Sequence, residues 1–131
     1  MTRINVVPVT ELTDKHLLAE YRELPRVFGM SKKWHERGGR VRDLPKTYRL
    51  GKGHVLFFYN KLQWCFARQR VLVAECKRRR FDVKHEPSRD LIDWAPYYLL
   101  GGYMPTRAAL RINRERIDMR LNASQRHTGT R

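Results

Sequence analysis

Residues 13–26 read TDKHLLAEYRELPR and decide the fold, because they contain a helix start, an apolar stripe and a helix stop. Thr10 or Thr13 can cap the N-terminus of a helix, with an acidic residue in its first turn. Pro25 has no backbone N–H to donate, so we expect it to kink or interrupt this helix. The apolar residues that recur at helical spacing, and that form the expected core stripe, are Leu17, Tyr21 and Leu24.

The remaining chain predicts further helices between long loops. Residues 54–59 have the composition of a strand, but they lead directly into helical spacing, so we predict a helix over most of 54–80 that ends in a run of cations. A last helix is expected from about Thr106 to Asn122. Residues 29–53 predict a helix end followed by an irregular loop, and 82–106 a loop with one short helical turn.

Length and composition indicate one globular domain. The chain has 131 residues, of which 41% are hydrophobic, as is ordinary for a folded protein. We predict the all-α class, with a single domain over 1–131, three main helices, long irregular loops and a mobile basic tail at 123–131. The aromatic residues assigned to the core rather than to base stacking are Phe57, Phe58, Tyr59, Trp34, Trp64 and Trp94.

The charge balance points to a polyanionic partner. Lys and Arg number 28 against 13 Asp and Glu, which gives a formal net charge of +15. Nucleic acid is the simplest partner, and acidic lipid is the alternative. The sequence has no apolar run of membrane-spanning length and no apolar signal segment near Met1, so we expect no membrane association. The protein is therefore expected to be intracellular, in the cytoplasm or nucleoid or in a virus's host cell, and not secreted.

The two cysteines predict neither a disulfide nor a metal site. Cys65 and Cys76 fall in one predicted helix, about 16 Å apart by helical rise. A disulfide needs Cα atoms within about 7 Å, so buried thiols are expected. The chain has no Cys/His spacing typical of zinc, and we predict no metal and no other cofactor.

The first residues suggest a nucleophile. A small second residue favours removal of Met1, which would expose the α-amine of Thr2. An α-amine has a reference pKa of about 7.7–8.0, so roughly a tenth is neutral near pH 7. Nearby arginines would increase that neutral fraction, because like charge disfavours the ammonium form. With Glu23 as the carboxylate, this pattern suggests imine chemistry on a sugar in DNA.

Several uncommon runs of sequence extend this hypothesis. They lie at 1–5, 16–17, 19–29, 40–43, 53–55, 57–59 and 74–76, with Tyr103 and Pro105. On these runs the chain resembles the phage-type pyrimidine-dimer DNA glycosylases, also called the endonuclease V type, over about residues 1–121. That family has a single helical domain and repairs ultraviolet damage.

The resemblance implies a bifunctional enzyme. The Thr2 amine would attack C1′ of the 5′ nucleotide of a cyclobutane pyrimidine dimer, break the glycosidic bond and form an imine. β-Elimination would then nick the strand at the abasic site. Glu23 would support the cationic sugar and take part in proton transfer at C2′. The resemblance also implies a kinked duplex in which a base opposite the lesion is extruded.

The resemblance further implies a set of basic residues that contact DNA. His16 would lie near the scissile sugar, on the same helix face as Glu23. The partners would be duplex DNA with pyrimidine dimers and, during scanning, undamaged duplex, bound by a monomer. The residues expected to bind DNA are Arg3, His16, Arg22, Arg26, Lys84, Arg116 and Arg120.

Three alternative functions remain open at this point. A non-catalytic basic protein that coats DNA would explain the charge but not the pairing of Thr2 with Glu23. A hydrolase that uses the Thr2 hydroxyl would need alternating strands, which the sequence does not predict. A glycosylase for oxidised bases with an N-terminal amine would have proline after Met1.

Overall fold

The computed structural model describes residues 3–84 and 86–129, with side chains as far as Asn122. The α-helices of this part are α1 (Asp14–Glu23), α2 (Arg26–Glu36), α3 (Leu62–Arg78), α4 (Asp90–Asp93) and α5 (Arg107–Gly129). Short 3-10 turns lie at Val9–Glu11, Val41–Asp43, Leu56–Phe58 and Tyr97–Leu99. The predicted all-α class is confirmed, and none of the described helices is both long and apolar enough to cross a membrane.

The first two helices follow the predicted start and stop signals. Thr13 rather than Thr10 caps α1, because its hydroxyl oxygen accepts a hydrogen bond from the His16 backbone N–H at 3.2 Å. α1 ends at Glu23 and α2 begins directly after Pro25, so the predicted interruption at Pro25 is confirmed. Only two residues separate α1 from α2, so these two helices together correspond to the first of the three predicted main helices. The second and third correspond to α3 and α5.

α3 is the central helix and packs along α1 in the opposite direction. Arg68 of α3 contacts Glu20 of α1, and Arg79, just after α3, contacts Asp14 at the start of α1. Nine residues of α3 are buried, including both cysteines, which are free thiols as predicted. The antiparallel packing of α1 and α3 therefore forms the main wall of the core.

The prediction of a helix over most of 54–80 is wrong at its start. α3 begins at Leu62, and the residues before it form turns and a 3-10 segment. The cause is a pairing with a distant loop: the Gly101 N–H donates to the Asn60 carbonyl at 3.1 Å, and the Trp64 N–H donates to the Gly101 carbonyl at 3.2 Å. These bonds replace the helical bond between Asn60 and Trp64. Glycine is required at 101, because an added Cβ would lie 2.5 Å from the Asn60 oxygen.

The aromatic residues near this turn are core residues, as predicted. Phe57, Phe58 and Tyr59 are buried in succession. The ring of Trp64 stacks on Phe58 at 5.3 Å, and Tyr103 packs edge-on against Phe57 at 5.2 Å. Trp34, Trp64 and Trp94 are all half-buried against the core.

α5 closes the core on the side of the N-terminal segment. The Thr106 hydroxyl accepts a hydrogen bond from the Ala109 N–H at 3.0 Å, so α5 begins where the sequence predicted. The helix continues to Gly129 instead of ending near Asn122. The predicted tail at 123–131 lies outside the described side chains, and its mobility stays a prediction.

The C-terminus of α3 contains a strained residue. The Arg80 N–H donates to the Lys77 carbonyl and the Phe81 N–H to the Cys76 carbonyl, both at 2.9 Å, which is a Schellman motif. Arg80 has a φ of 68°, in the left-handed region that favours glycine. This position therefore carries a backbone strain that glycine would not have.

Replacing Arg80 by glycine is expected to stabilise the fold by about 1 kcal/mol, because glycine adopts a positive φ without steric cost. The same replacement at Arg70, an exposed residue in the middle of α3, is expected to cost about 1 kcal/mol of helix propensity. Urea unfolding followed by circular dichroism measures both changes. A destabilised Arg80→Gly variant would contradict the backbone conformation assigned to this turn.

Candidate active site

The candidate site is built around an N-terminal segment that belongs to no helix or strand. Residues 3–7 have no regular secondary structure, although Ile4, Val6 and Val7 are buried. Buried backbone N–H and C=O groups need hydrogen-bond partners, and no ladder supplies them here. Side chains from α1, α3, α5 and the loop before α3 take that role.

Glu23 makes the contact that is closest to the candidate nucleophile. Its Oε2 atom accepts a hydrogen bond from the Arg3 backbone N–H at 3.0 Å. Glu23 is half-buried at the last position of α1. Thr2 precedes Arg3 and lies outside the described residues. The predicted catalytic carboxylate thus binds the residue that directly follows the predicted nucleophile.

Ile4 is held on both sides by side chains of the loop before α3. Its N–H donates to His54 Nε2 at 2.9 Å, and its carbonyl accepts from the Tyr48 hydroxyl at 3.1 Å. His54 Nδ1 lies 2.7 Å from the Arg49 carbonyl, which can only accept. These two bonds assign the proton to Nδ1 and leave Nε2 as the acceptor, so the imidazole is neutral. Burial lowers the pKa of His54 from its ordinary value, which agrees with a neutral ring.

Asn113 of α5 satisfies the next two backbone amides. Its Oδ1 atom accepts from the Val6 N–H at 2.7 Å and from the Val7 N–H at 3.1 Å. Its Nδ2 atom donates to Asn5 Oδ1 at 2.7 Å. Asn113 is only 1% exposed, so this single side chain replaces a strand partner inside the core.

A buried ion pair completes the network. Arg68 of α3 contacts both carboxylate oxygens of Glu20 in α1, at 2.8 and 3.0 Å. The same guanidinium donates to the Val7 carbonyl at 2.7 Å, and Asn5 Nδ2 donates to Glu20 Oε1 at 2.9 Å. The Glu20 side chain is 0% exposed and that of Arg68 is 8% exposed. The charged pair is therefore tied to the N-terminal segment at both of its ends.

The predicted basic residues Arg3, His16, Arg116 and Arg120 are brought together beside this segment. Burial is the main cause that lowers the pKa of Arg3, with the charge of Arg120 adding to it and Glu23 opposing it. The pKa of Arg116 is lowered by burial and then by Arg3 and Arg120. Four side chains that carry or can carry positive charge thus lie close together, and one of them, Arg3, is also influenced by Glu23.

His16 takes part in this cluster from the N-terminal end of α1. Its Nδ1 atom lies 3.0 Å from the Thr13 hydroxyl. Burial lowers the pKa of His16, and the charges of Lys15, Arg120 and Arg116 lower it further. His16 is therefore neutral more often than a free histidine near pH 6.5.

Arg3 presents an unsatisfied donor to the site. Its Nη1 atom is fully enclosed and has no hydrogen-bond partner among the residues that the structure describes. A guanidinium forms its strongest pairs with carboxylate or phosphate oxygens. The described residues therefore leave this buried donor without the acceptor that it needs.

The other predicted DNA-binding residues lie farther out. Arg22 and Arg26 are exposed and flank Glu23 at the junction of α1 and α2. Lys84 is exposed on the segment after α3, and no hydrogen bond or ion pair in the described part connects it to the cluster. The structure brings most of the predicted site residues together and leaves Lys84 apart.

The sequence analysis missed the residues that hold the N-terminal segment. Those in helices share one signal, which is a polar residue at a position where helical spacing predicts an apolar one, whereas Tyr48 and His54 lie in the loop before α3 and carry no such signal. Glu20 lies between Leu17 and Leu24 on the buried face of α1, and Asn113 lies between Ala109 and Ile117 on the buried face of α5. The residues missed are Glu20, Tyr48, His54, Arg68 and Asn113.

Comparison with known protein families gives an independent result. The family model described as pyrimidine dimer DNA glycosylase matches residues 1–88. The match includes the N-terminal segment, α1, α2 and α3, and therefore Glu23, His54 and Arg68. It ends before α5, which supplies Asn113, Arg116 and Arg120.

Replacing Glu20 by glutamine is expected to lower the free energy of unfolding by about 3–5 kcal/mol, because Arg68 would remain buried without a counter-charge. Glu115→Gln, at an exposed position of α5, is the matched control and should change it by less than about 0.5 kcal/mol. Guanidinium unfolding measures both variants. A loss below about 1 kcal/mol for Glu20→Gln would show that the ion pair is not the anchor assigned to it.

Proposed function

The chain belongs to the pyrimidine dimer DNA glycosylase family, and from that premise we propose that it cleaves the N-glycosidic bond of the 5′ pyrimidine of a cyclobutane dimer through an imine with the Thr2 α-amine. The abasic site would then be nicked by β-elimination. As a member of this family the protein is a DNA repair glycosylase that binds duplex DNA. The imine, the lyase step and the identity of the nucleophile are the finer parts of the proposal.

One observation carries the proposal, namely the 3.0 Å hydrogen bond from the Arg3 N–H to Glu23 Oε2. Three covalent bonds separate the α-nitrogen of Thr2 from the Arg3 nitrogen, so the two are about 4 Å apart at most. The amine is therefore within about 7 Å of the carboxylate for any backbone conformation of Thr2. A sugar carbon attacked by the amine would lie within reach of Glu23, as proton transfer at the neighbouring C2′ requires.

The surrounding charges support the nucleophile as well as the ligand. Burial is the main cause that lowers the pKa of Arg3 and Arg116, and the charge of Arg120 lowers both further. A nearby ammonium would experience the same repulsion, so the neutral amine is favoured near pH 7. When DNA phosphates bind, the same arginines become their partners.

The proposed chemistry has two stages, and Glu23 acts in both. In the first, the amine nitrogen bonds to C1′ while the glycosidic electron pair leaves on the pyrimidine nitrogen, which is then protonated. The C1′–O4′ bond of the sugar ring then opens, and a proton passes from the amine nitrogen to O4′, which leaves the protonated imine. The carboxylate stabilises the cationic sugar during this stage. In the second, Glu23 accepts the C2′ proton of the imine and the C3′–O bond breaks with the phosphate as leaving group. We propose that a monomer does this inside the cell, since one chain holds every residue used.

Reductive trapping tests the nucleophile and the lesion together. Protein that begins at Thr2 is mixed with a duplex containing one thymine dimer, and borohydride is added. A covalent adduct that mass spectrometry maps to Thr2, and that undamaged duplex does not form, is expected. An adduct at a lysine, or one formed equally with an oxidised-base duplex, would refute this assignment.

Glu23→Gln is expected to reduce strand nicking by about a hundredfold or more while damaged duplex still binds. Glu36→Gln, at an exposed position of α2, makes the same charge change away from the site and should keep full activity. Gel assays of nicking and binding measure both variants. Equal nicking by the two variants would favour a function in which Glu23 has no chemical part.

Scanning along undamaged DNA is expected to depend steeply on salt. The net charge of +15 implies that several phosphates are neutralised on binding, with release of their counterions. Processive nicking of irradiated plasmid should therefore fall sharply between low and near-physiological salt. A processivity that stays constant over this range would exclude electrostatic scanning.

A further inference from the structure

We propose that His54 is a positioning residue for the amine-bearing end of the chain, and that it acts only while its imidazole is neutral. The inference rests on the proposed function, because it assigns His54 to the alignment of the Thr2 amine with Glu23. His54 does not touch the reacting atoms. It acts through the Ile4 amide, whose N–H donates a hydrogen bond to His54 Nε2 at 2.9 Å.

The ring of His54 is fixed in one orientation. It is 3% exposed, and both of its nitrogens are committed, Nε2 to the Ile4 N–H and Nδ1 to the Arg49 carbonyl at 2.7 Å. Tyr48 and Phe58 pack edge-on against it, with ring centroids at 5.4 and 5.8 Å. The acceptor lone pair of Nε2 is therefore held rigidly toward the N-terminal segment.

The loop that carries His54 is built to present it. The His54 N–H donates to the Gly51 carbonyl at 3.1 Å, which closes a tight turn. Gly53 has a φ of +88°, and a Cβ there would meet the Arg49 side chain at 3.1 Å. The run Gly53-His54 thus has a structural purpose, although its sequence suggested no role.

Fixing the Ile4 amide fixes the residue before it. The peptide between Arg3 and Ile4 is planar, so the direction of the Ile4 N–H sets the plane that also contains the Arg3 carbonyl. The Tyr48 hydroxyl holds the Ile4 carbonyl from the other side at 3.1 Å. Once Ile4 is held in this way, only the φ and ψ angles of Arg3 remain free to change the position of the Arg3 N–H relative to Glu23.

Protonation of His54 would remove this anchor. A doubly protonated ring has two donors and no acceptor, so Nε2–H would face the Ile4 N–H. The charged or titratable groups around the ring are Arg3, Arg116 of α5 and Tyr48, and the two arginines disfavour a further positive charge. The hydrogen bond to the Arg49 carbonyl raises the pKa of His54, but burial lowers it by more.

The direction of the pH dependence follows. The pKa of His54 in the folded protein is lower than its ordinary value of about 6.5. The contact with Ile4 is therefore complete above pH 6.5 and is lost as the pH falls through the folded value. Adduct formation should fall on the acid side for this reason in addition to the protonation of the Thr2 amine, which all His54 variants share.

Two variants of His54 and one control test the proposal by single-turnover borohydride trapping. His54→Phe keeps a buried ring but has no acceptor for Ile4. His54→Gln retains an acceptor and does not titrate. Leu72→Ala removes core packing from α3 at a buried residue that makes none of the hydrogen bonds to residues 3–7. The rate of adduct formation and the binding of damaged duplex are measured for each variant at a temperature below its unfolding transition.

His54→Phe is expected to lose roughly ten- to a hundredfold in the rate of adduct formation, with the binding constant changed by less than about threefold. Leu72→Ala should keep the rate. His54→Gln should keep most of the rate at pH 7.5, and its rate relative to that of the unaltered protein should rise as the pH falls through the folded pKa of His54, read from the NMR titration of the ring. Equal rates for His54→Phe and Leu72→Ala, or an unchanged acid limb in His54→Gln, would overturn the proposal.

Amide hydrogen exchange gives a readout that does not depend on activity. The Arg3 and Ile4 amides should exchange faster in His54→Phe than in Leu72→Ala, relative to the slowest amides of each variant. If the unaltered protein forms no adduct, the proposed function fails, and the exchange rates alone then decide the role of His54. Equal exchange in the two variants would reject it.

Discussion

The fold depends on one constraint, which is that residues 3–7 are buried without a helix or strand to pair their backbone. Every partner must therefore come from a side chain placed at the right depth. Glu20, Arg68 and Asn113 meet this need from three helices. Such a network is stable only when complete, because a buried charge or amide that loses its partner costs more than the bond itself contributed. The helices are thus held in one arrangement by the segment that they enclose.

This constraint explains how an N-terminus can serve in a site. Chain ends usually fray, because few contacts hold them. In this protein the anchoring continues up to the Arg3 amide, which binds Glu23 at 3.0 Å. Burial lowers the pKa of Arg3, Arg116 and His16, and the nearby charge of Arg120 lowers all three further. A backbone that is anchored as far as Arg3, beside Glu23 and in a positive field, suits both amine chemistry and phosphate binding.

The sequence predicted what depends on neighbouring residues. The cap and the break at Pro25 are local; the sequence left the cap open between Thr10 and Thr13, the structure assigns Thr13, and the break was correct. The start of α3 was misplaced, because Asn60 pairs with Gly101, and no local pattern reports a partner so distant. For the site, the family resemblance indicated Glu23 and His16, but it suggested no role for His54 or Asn113. Their partners lie 50 and 107 residues away along the chain, so only the folded structure reveals them.

Backbone amide exchange at Val6 and Val7, measured by NMR, tests the central claim most directly. Both amides bind only the Oδ1 atom of Asn113. If the buried side chains anchor this segment, both amides exchange as slowly as that of Leu72 in the core of α3, and only through global unfolding. Exchange at the rate of an exposed loop, while Leu72 stays protected, would show that the segment opens independently and that the network does not hold it.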